Sequence, residues 1–404
     1  MSNLPKKWNL LALNQICDLQ NGYAFKSSDY VNISSTLNCR MSNIRPNGVF
    51  DLEHNQKFLP DSYTEKYKQY LLKDGDVIIA MTDMATEAKI LGVPTIVKTQ
   101  GKNLLLNQRV GKLIIKKPEL IYFPYLKYVL NREQVKKYFL KFAGGGLQIN
   151  LCKDDILSVT IPLPPLEEQK KIAEILDQAE ELRRKRKEAI ALLNTLTQSI
   201  FIEMFGDPVK NLKSFPIFRL GDLTKISSGS TPSRKNSENF NGNIPWVKTT
   251  EVNERLITDT EEKITETALQ NSSCHLYPVG SILIALYGQG KTRGQCAVLG
   301  IEAATNQACG VLLPNPKYET NFLFAQLLIS YSRLRAMARG GNQENLNLGL
   351  IADFTVLLPP LSLQKEFAQR FEAVEELKKS HRASLSELDA LFASLQHRAF
   401  RGEL

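Results

Sequence analysis

The residues most suggestive of catalysis lie in Ala285–Gly294, ALYGQGKTRG, where Gly290–Lys291–Thr292 follows an apolar, strand-like run. A loop of this kind can wrap phosphates with backbone N–H groups while its lysine neutralises their charge. The nucleotide-binding signature also needs glycine where Ala285 stands and a helix directly after the threonine. Residues Arg293–Gly300, RGQCAVLG, read instead as a strand, and no acidic strand partner for magnesium is evident. A basic glycine-rich turn carrying Gln289, Lys291 and Arg293 suits an approach to nucleic acid, with a solvated turn as the plain alternative. Substituting Lys291 separates the readings: a nucleotide site loses ATP binding, whereas a recognition loop loses DNA affinity.

Other chemistries find fewer parts. The six cysteines are scattered, and Cys274–His275 has no neighbours to complete a tetrahedral metal site. Amino-methylating enzymes carry an Asn/Asp-Pro-Pro-aromatic tetrad, and none occurs; Asn315–Pro316–Lys317 continues wrongly. A GxGxxG after a strand, a GxSxG and an HExxH are all missing. Four histidines, two of them in one long helical run, do not suggest acid–base clusters. No cofactor or metal is expected, and the chain reads as non-enzymatic. The longest apolar runs, Val77–Met81 and Ile282–Tyr287, are strand-sized, and MSNLPKKW has no apolar stretch behind its lysines, so a cytoplasmic, non-membrane protein is expected.

Any binding chemistry must be positioned by a duplicated framework. IPLPPLEEQ (Ile161–Gln169) returns as VLLPPLSLQ (Val356–Gln364), an offset of 195 residues. In the same order, LNQICDLQNG (Leu13–Gly22) matches LGDLTKISSG (Leu220–Gly229), and DGDVIIAM (Asp74–Met81) matches VGSILIAL (Val279–Leu286). LLNQRVGKL (Leu105–Leu113) matches ATNQACGVL (Ala304–Leu312), and GGLQINL (Gly145–Leu151) matches GGNQENL (Gly340–Leu346). Ordered matches of this kind indicate tandem duplication.

Each copy ends in a long run without glycine or proline, entered after a double proline and stopped at Gly206 or Gly402. Apolar residues step by three and four along Ile172, Leu176, Ala179, Leu182, Arg186, Ala189, Leu193, Leu196 and Ile200. The second series is Phe367, Phe371, Val374, Leu377, His381, Leu385, Leu388, Leu391 and Leu395. At ~1.5 Å per residue, helices of about 39 residues approach 60 Å. Each narrow seam needs a partner, and the chain order favours an antiparallel coiled coil, with Leu176, Leu182, Leu193, Phe371, Leu377 and Leu388 pairing and Arg186 facing His381. Ile175, Ile190, Leu192 and Phe392 fall outside that seam and are expected to meet further partners. The preceding segments mix short β-branched runs with helices near Tyr122–Phe142 and Asn321–Arg339. The fold expected is α+β: two similar domains of mixed β-sheet and helices, separated by the two helices, in a pseudo-two-fold tandem repeat.

Charge follows this division. Residues 1–166 hold 22 basic and 14 acidic side chains, residues 206–361 hold 15 and 13, and the helical stretches are near neutral, within a net charge of +9. The excess sits on the two domains, as a polyanion-binding protein would place it.

The PLPPLEEQKKIAEIL block before a long helix, the Gly-Gln-Asn-Leu run upstream of it and the terminal AFRGEL resemble the specificity subunit of type I restriction–modification systems. SGSTPSRKN (Ser228–Asn236) and IPWVKTTEV (Ile244–Val252) resemble that family's opening of a recognition domain, and QNGYAFKSSDY (Gln20–Tyr30) a variant of it. The resemblance covers essentially the whole chain. It implies target-recognition domains over 1–165 and 206–360, spacer helices over 166–205 and 361–404, and a subunit without catalysis. Each domain would read one half of a bipartite, asymmetric target in double-stranded DNA. The helices would dock methyltransferase (modification) subunits, two of them, and through these the ATP-dependent restriction subunits (translocase and nuclease).

Candidate DNA contacts in the first domain are Lys26, Arg40, Asn43, Arg45, Lys89 and Gln148. In the second they are Thr231, Arg234, Lys235, Lys248, Gln289, Lys291, Arg293 and Gln343. Lysines and arginines suit phosphates, while arginine, asparagine and glutamine suit base edges. Gln148 and Gln343, with Asn150 and Asn345, could equally tie down their loops. Asn107–Gln108 and Asn306–Gln307 read as structural, and Arg183–Lys187 as a solvated or partner-facing run. Half-site centres about 34–36 Å apart are expected if both domains address one face of the duplex. A stand-alone DNA-binding protein and the specificity part of a fused restriction enzyme are the other binding readings.

Overall fold

The computed structural model describes residues 5, 7–85, 88–142, 146–253, 256–288, 290–340 and 344–404. The chain divides into two compact units: residues up to Lys185 with Leu385–Leu404, and Arg186–Ser384. Each unit therefore takes one mixed domain and part of each long helix, so the helices are not separate bodies.

In the first unit, strands Cys17–Asn21, Val110–Ile115, Val77–Ala80 and Pro94–Ile96 lie side by side in that order, all antiparallel. A second sheet pairs Thr36–Cys39 parallel to Asn103–Leu106. The second unit repeats both. Ile226–Ser228, Cys309–Leu312, Ile282–Ala285 and Cys296–Leu299 form the antiparallel series, and Ile244–Val247 runs parallel to Ala304–Thr305. The apolar runs VIIA and ILIA have a simple cause. Val77 and Ile79 face one core while Ile78 and Ala80 face another, and Ile282 and Ile284 are likewise divided from Leu283 and Ala285. With period-two alternation, a strand apolar at every position is one covered on both faces.

The two ends of each domain are zipped together. Asn9–Ala12 pairs antiparallel with Thr160–Leu163, and Ile217–Arg219 pairs antiparallel with Thr355–Leu357. The helical stretch before each double proline is broken once, as Phe123–Leu130 and Glu133–Leu140 in the first unit and Thr320–Ile329 and Tyr331–Ala336 in the second.

Leu166–Phe205 and Leu361–Ala399 are the long helices, and Gly206 and Gly402 follow them with positive φ. Within the first unit Ile172 and Leu176 share a core with Ala399 and Phe400, while Arg183 meets Asp389 at 2.6 Å. Within the second, Arg186 lies 3.1 Å from His381, Thr197 meets Lys378 at 3.2 Å, and Phe201 packs on Phe367. As numbers rise along one helix they fall along the other, so the pairing is antiparallel in each unit.

The seam differs from the one expected at two of the six pairing residues. Leu176 and Phe371 are buried and Leu193 and Leu388 half-buried, but Leu182 and Leu377 are each 51% exposed. Their polar neighbours Arg183 and Lys378 take the inward positions. These fall on a strict seven-residue step through Leu176, Arg183, Ile190 and Thr197, and through Phe371, Lys378, Leu385 and Phe392. Arg183 stacks its guanidinium 4.5 Å from the Phe392 ring centre, and Tyr128 covers that ring from the domain side at 6.4 Å. Phe392 and Ile190 are thus half-buried seam residues rather than free apolar surface, whereas Leu192 is 69% exposed.

Lys378 is 4% exposed, with its ammonium 2.5 Å from Glu375 and 3.2 Å from Thr197. Desolvating an ammonium consumes most of what such an ion pair returns. Lys378→Met is expected to hold the melting temperature or raise it by a few degrees. A fall of more than about 5 °C in a thermal melt would instead mark the pair as net stabilising.

Candidate nucleic-acid interface

The loops expected to touch a ligand begin where the two sheets meet. Gly22 and Gly229 directly follow the strands Cys17–Asn21 and Ile226–Ser228. The next residue's N–H reaches across, Tyr23 to the Leu106 carbonyl at 2.8 Å and Ser230 to the Thr305 carbonyl at 2.9 Å. A Cβ at either glycine would land on the opposing backbone carbonyl, so glycine is required by the close approach.

In the first domain this loop leads into an aromatic cluster. Tyr23 lies 5.0 Å from Phe25 and 4.4 Å from Tyr67, and Tyr63 packs 5.0 Å from Tyr67. Lys66 sits 5.3 and 5.2 Å from the Tyr63 and Tyr67 ring centres, and Lys57 lies 5.9 Å from that of Tyr30. A hydrogen bond with Tyr67 raises the Tyr23 hydroxyl's pKa, and burial raises that of Tyr63. Both hydroxyls stay neutral donors at working pH. Sequence reasoning missed Lys57, Lys66, Tyr63 and Tyr67; the four-residue step from Tyr63 to Tyr67, with Lys66 between them, was the available signal.

Lys26 is exposed beside this cluster in sequence, its backbone N–H donating to Asp29 at 2.7 Å. Arg40 ends the parallel strand, and its Nη1 is buried without a hydrogen-bond partner. Asn43 was expected to touch DNA but is 4% exposed. It accepts the Arg40 N–H at 2.9 Å and donates to the Asp51 and His54 carbonyls at 3.0 and 3.3 Å. Its amide is used up holding the loop. Arg45 is 3.9 Å from Asp51, and Lys89 is exposed. Gln148 is half-buried, 3.9 Å from the Met84 sulfur, and Asn150 accepts the Thr82 hydroxyl at 2.9 Å.

The second domain has the same frame with different contents. Lys248 stands where Arg40 does, and Glu251 accepts its backbone N–H at 2.8 Å as Asn43 does for Arg40. Here the cation is held by carboxylates: Lys248 lies 2.5 Å from Glu261 and 3.3 Å from Glu262, which raises its pKa. Arg234 meets Glu262 at 2.7 Å, and Thr231 bonds to Gln307. Lys235 is exposed. Asn306 accepts from the Thr249 hydroxyl at 2.8 Å and the Ala308 N–H at 3.2 Å, a structural role.

The segment resembling a nucleotide loop is a hairpin turn. It joins Ile282–Ala285 to the antiparallel strand Cys296–Leu299, with no helix after Thr292. Lys291 is exposed, its carbonyl taken by the Tyr331 hydroxyl at 2.8 Å. Arg293 was expected to face DNA. Its side chain is only 12% exposed, lies 3.2 Å from the Glu344 carboxylate and also bonds the Glu344 carbonyl. It buttresses the turn. Gln289 and Gln343 lie outside the described residues.

Two buried glutamines escaped notice although both lie in the repeated block. Gln169 accepts the Tyr122 N–H at 2.8 Å and donates to the Leu120 and Pro164 carbonyls at 2.9 and 2.7 Å. Gln364 accepts the Glu319 N–H at 2.9 Å and donates to the Pro359 carbonyl at 2.7 Å. Each fastens the first turn of a long helix to the loop that starts its domain's own helix.

Among the described residues no group of three or more His, Cys, Asp or Glu could hold a metal ion, and no helix is long and apolar enough to cross a membrane. Burial pushes the Cys17, Cys39 and Cys309 thiols up to about 12, and Cys274 and Cys296 are buried as well. Cys152 alone is exposed. Native protein treated with a thiol alkylator at pH 8 is expected to gain one adduct, at Cys152, by mass spectrometry. Rapid labelling of Cys39 or Cys309 would contradict their burial.

The family model for the type I restriction modification DNA specificity domain matches residues 5–192 and again 213–390. The specificity subunit of type I restriction enzyme MjaVIII of Methanocaldococcus jannaschii is 34% identical over an alignment spanning 47% of this chain and 44% of that protein. The chain thus spans less than half of that relative's length. The putative MjaX specificity subunit of the same organism is 23% identical over 100% of this chain and 95% of its own. The crystal structure of a type I restriction–modification S subunit from M. genitalium shares the fold at a TM-score of 0.60, with 15% identity, covering 97% of this chain and 96% of that one.

Proposed function

The chain belongs to the type I restriction modification DNA specificity family, and from that premise we propose that it is the non-catalytic subunit through which such a complex reads DNA sequence. Its two recognition domains, 1–165 and 206–360, each read one half of a bipartite asymmetric target. The helices 166–205 and 361–404 set the spacing and dock two methyltransferase subunits, which in turn carry the ATP-dependent restriction subunits. The complex works on double-stranded DNA in the cytoplasm, and this subunit needs no cofactor of its own.

The observation that carries the reading is the family match to both halves of the chain, on two domains with the same strand order. Each domain presents a loop opened by a glycine at the same close approach. In the first, Lys57 and Lys66 lie over tyrosine rings and Lys26 and Arg40 add charge, a combination suited to phosphates and base faces. In the second, Lys235 and Lys291 are exposed, whereas Arg234, Lys248 and Arg293 are already balanced by carboxylates. The first domain accordingly supplies most of the salt-dependent affinity.

The test is co-expression with the methyltransferase subunit of the same operon, followed by sequencing of methylated adenines. One gapped, two-part motif is expected, and exchanging residues 206–360 for those of a relative should change one half of it. A stable complex that methylates no motif would overturn the proposal. Specific DNA binding by the chain alone, with no complex formed, would point to a stand-alone binder.

A further inference from the structure

The loop Ser228–Asn236 of the second domain is tied down before any ligand arrives. The Ser230 carbonyl accepts the Trp246 indole N–H at 3.0 Å and the Cys274 thiol at 3.1 Å. The Ser233 carbonyl accepts the Asn239 amide at 3.0 Å, and the Asn236 side chain accepts the Glu238 N–H at 3.1 Å.

Between these ties stands Arg234, with its side chain 53% exposed. Its guanidinium carbon lies 4.0 Å from the Phe240 ring centre and 5.1 Å from that of Trp246, which is itself 1% exposed. Nη1 donates to Glu262 at 2.7 Å. The ion pair holds the Glu262 carboxyl below its usual range, so the carboxylate remains an acceptor at working pH. Lys248 also reaches this carboxylate, at 3.3 Å, and shares its charge.

Two consequences follow. An arginine that finds its pose only on binding gives up rotamer freedom at that moment, whereas rings and a carboxylate have already selected the pose here. The single bond to Glu262 also leaves most of the five N–H donors unused. A positive, planar, half-exposed fork above an apolar floor matches one base edge in the major groove: the paired O6 and N7 acceptors of guanine.

We propose that Arg234 reads a guanine in the half-site of the second domain, an assignment that rests on the DNA-recognition role proposed above. Lys235, its neighbour, is exposed and has no hydrogen-bond or ion-pair partner among the described residues. It provides the contrast, a mobile point charge suited to a phosphate.

The experiment compares adenine-methylation profiles of the assembled complex carrying wild-type chain, Arg234→Ala, Arg234→Lys or Lys235→Ala, each with a thermal melt. The half-site changed by exchanging 206–360 is expected to contain a G·C pair. Arg234→Ala should relax that one position by about 5- to 150-fold while the other half-site holds. Arg234→Lys should relax it too, because an ammonium lacks the fork, and it keeps the test informative if the alanine variant unfolds. Lys235→Ala should lower methylation evenly over all sites. A half-site without a G·C pair, or an even loss with an unchanged motif in Arg234→Lys at wild-type stability, overturns the assignment. Failure of the wild-type complex to methylate any gapped motif overturns the underlying function as well, and shows before any variant is made.

Discussion

Gln169→Leu is expected to destabilise the first unit by about 3–9 kcal/mol, although leucine fills nearly the same volume. The substitution leaves the Tyr122 N–H and the Leu120 and Pro164 carbonyls without their partner in a site where Gln169 is 0% exposed. Each buried group so stranded costs about 1–3 kcal/mol. Gln364→Leu strands two groups, the Glu319 N–H and the Pro359 carbonyl, and should cost about 2–6 kcal/mol by the same reasoning. Gln178→Leu is the control. That glutamine is exposed on the same helix as Gln169, and its loss should stay within about 0.5 kcal/mol. Denaturant midpoints measure all three. Equal effects at Gln169 and Gln178 would mean that the hydrogen bonds at the helix root carry little net stability.

Gly229→Val should be nearly as costly and more local in its effect. The new side chain would occupy the position of the Thr305 carbonyl, and backbone at that distance cannot be moved aside as a flexible side chain can. Relief requires the strand end to withdraw, which breaks the Ser230–Thr305 hydrogen bond and displaces the loop bearing Thr231, Arg234 and Lys235. A cost of about 3 kcal/mol, or a fall of roughly 6–12 °C in melting temperature, is expected. Gly22→Val should act in the same way on the first domain. Gly146→Ala, whose Cβ would meet nothing nearer than 3.7 Å, should be almost silent. In the methylation assay, each strand-end variant is expected to impair recognition of its own half-site first. Wild-type melting in Gly229→Val would show that the approach of the two strands is looser than described.

The duplication, the two helices and their stops were readable because each rests on a local rule: repeated blocks, three-and-four spacing and a glycine at the helix end. Leu182 and Leu377 show where such reading strays. Apolar identity alone points to a leucine adjacent to the true line. Strict seven-residue counting from Leu176 or Phe371 lands on Arg183 and Lys378. Those polar residues are tolerated there because Arg183 lays its length on Phe392 and Lys378 finds Glu375 and Thr197.

Candidate contacts were less legible for a related reason. Residue type says that arginine or asparagine can meet a base, but not whether the protein has already claimed it. Asn43 is claimed by the Asp51 and His54 carbonyls, 8 and 11 residues on, and Arg293 by Glu344, 51 residues away. Arg234 is claimed at one nitrogen only. The aromatic support of Lys66 comes from a one-turn helix, Tyr63–Lys66, too short to announce itself by periodicity.

The paired strands at the foot of each domain have a consequence for inheritance. Because Ile217–Arg219 and Thr355–Leu357 close on each other, everything between them hangs from the helices as a loop with a stitched neck. A replacement that keeps a backbone N–H at the place of Glu319 and an aromatic ring at the place of Phe322 preserves the Gln364 root and the packing on Phe201 and Phe205. On the proposed role, a new half-specificity then arrives as one cassette, while the two helices that carry it are inherited unchanged.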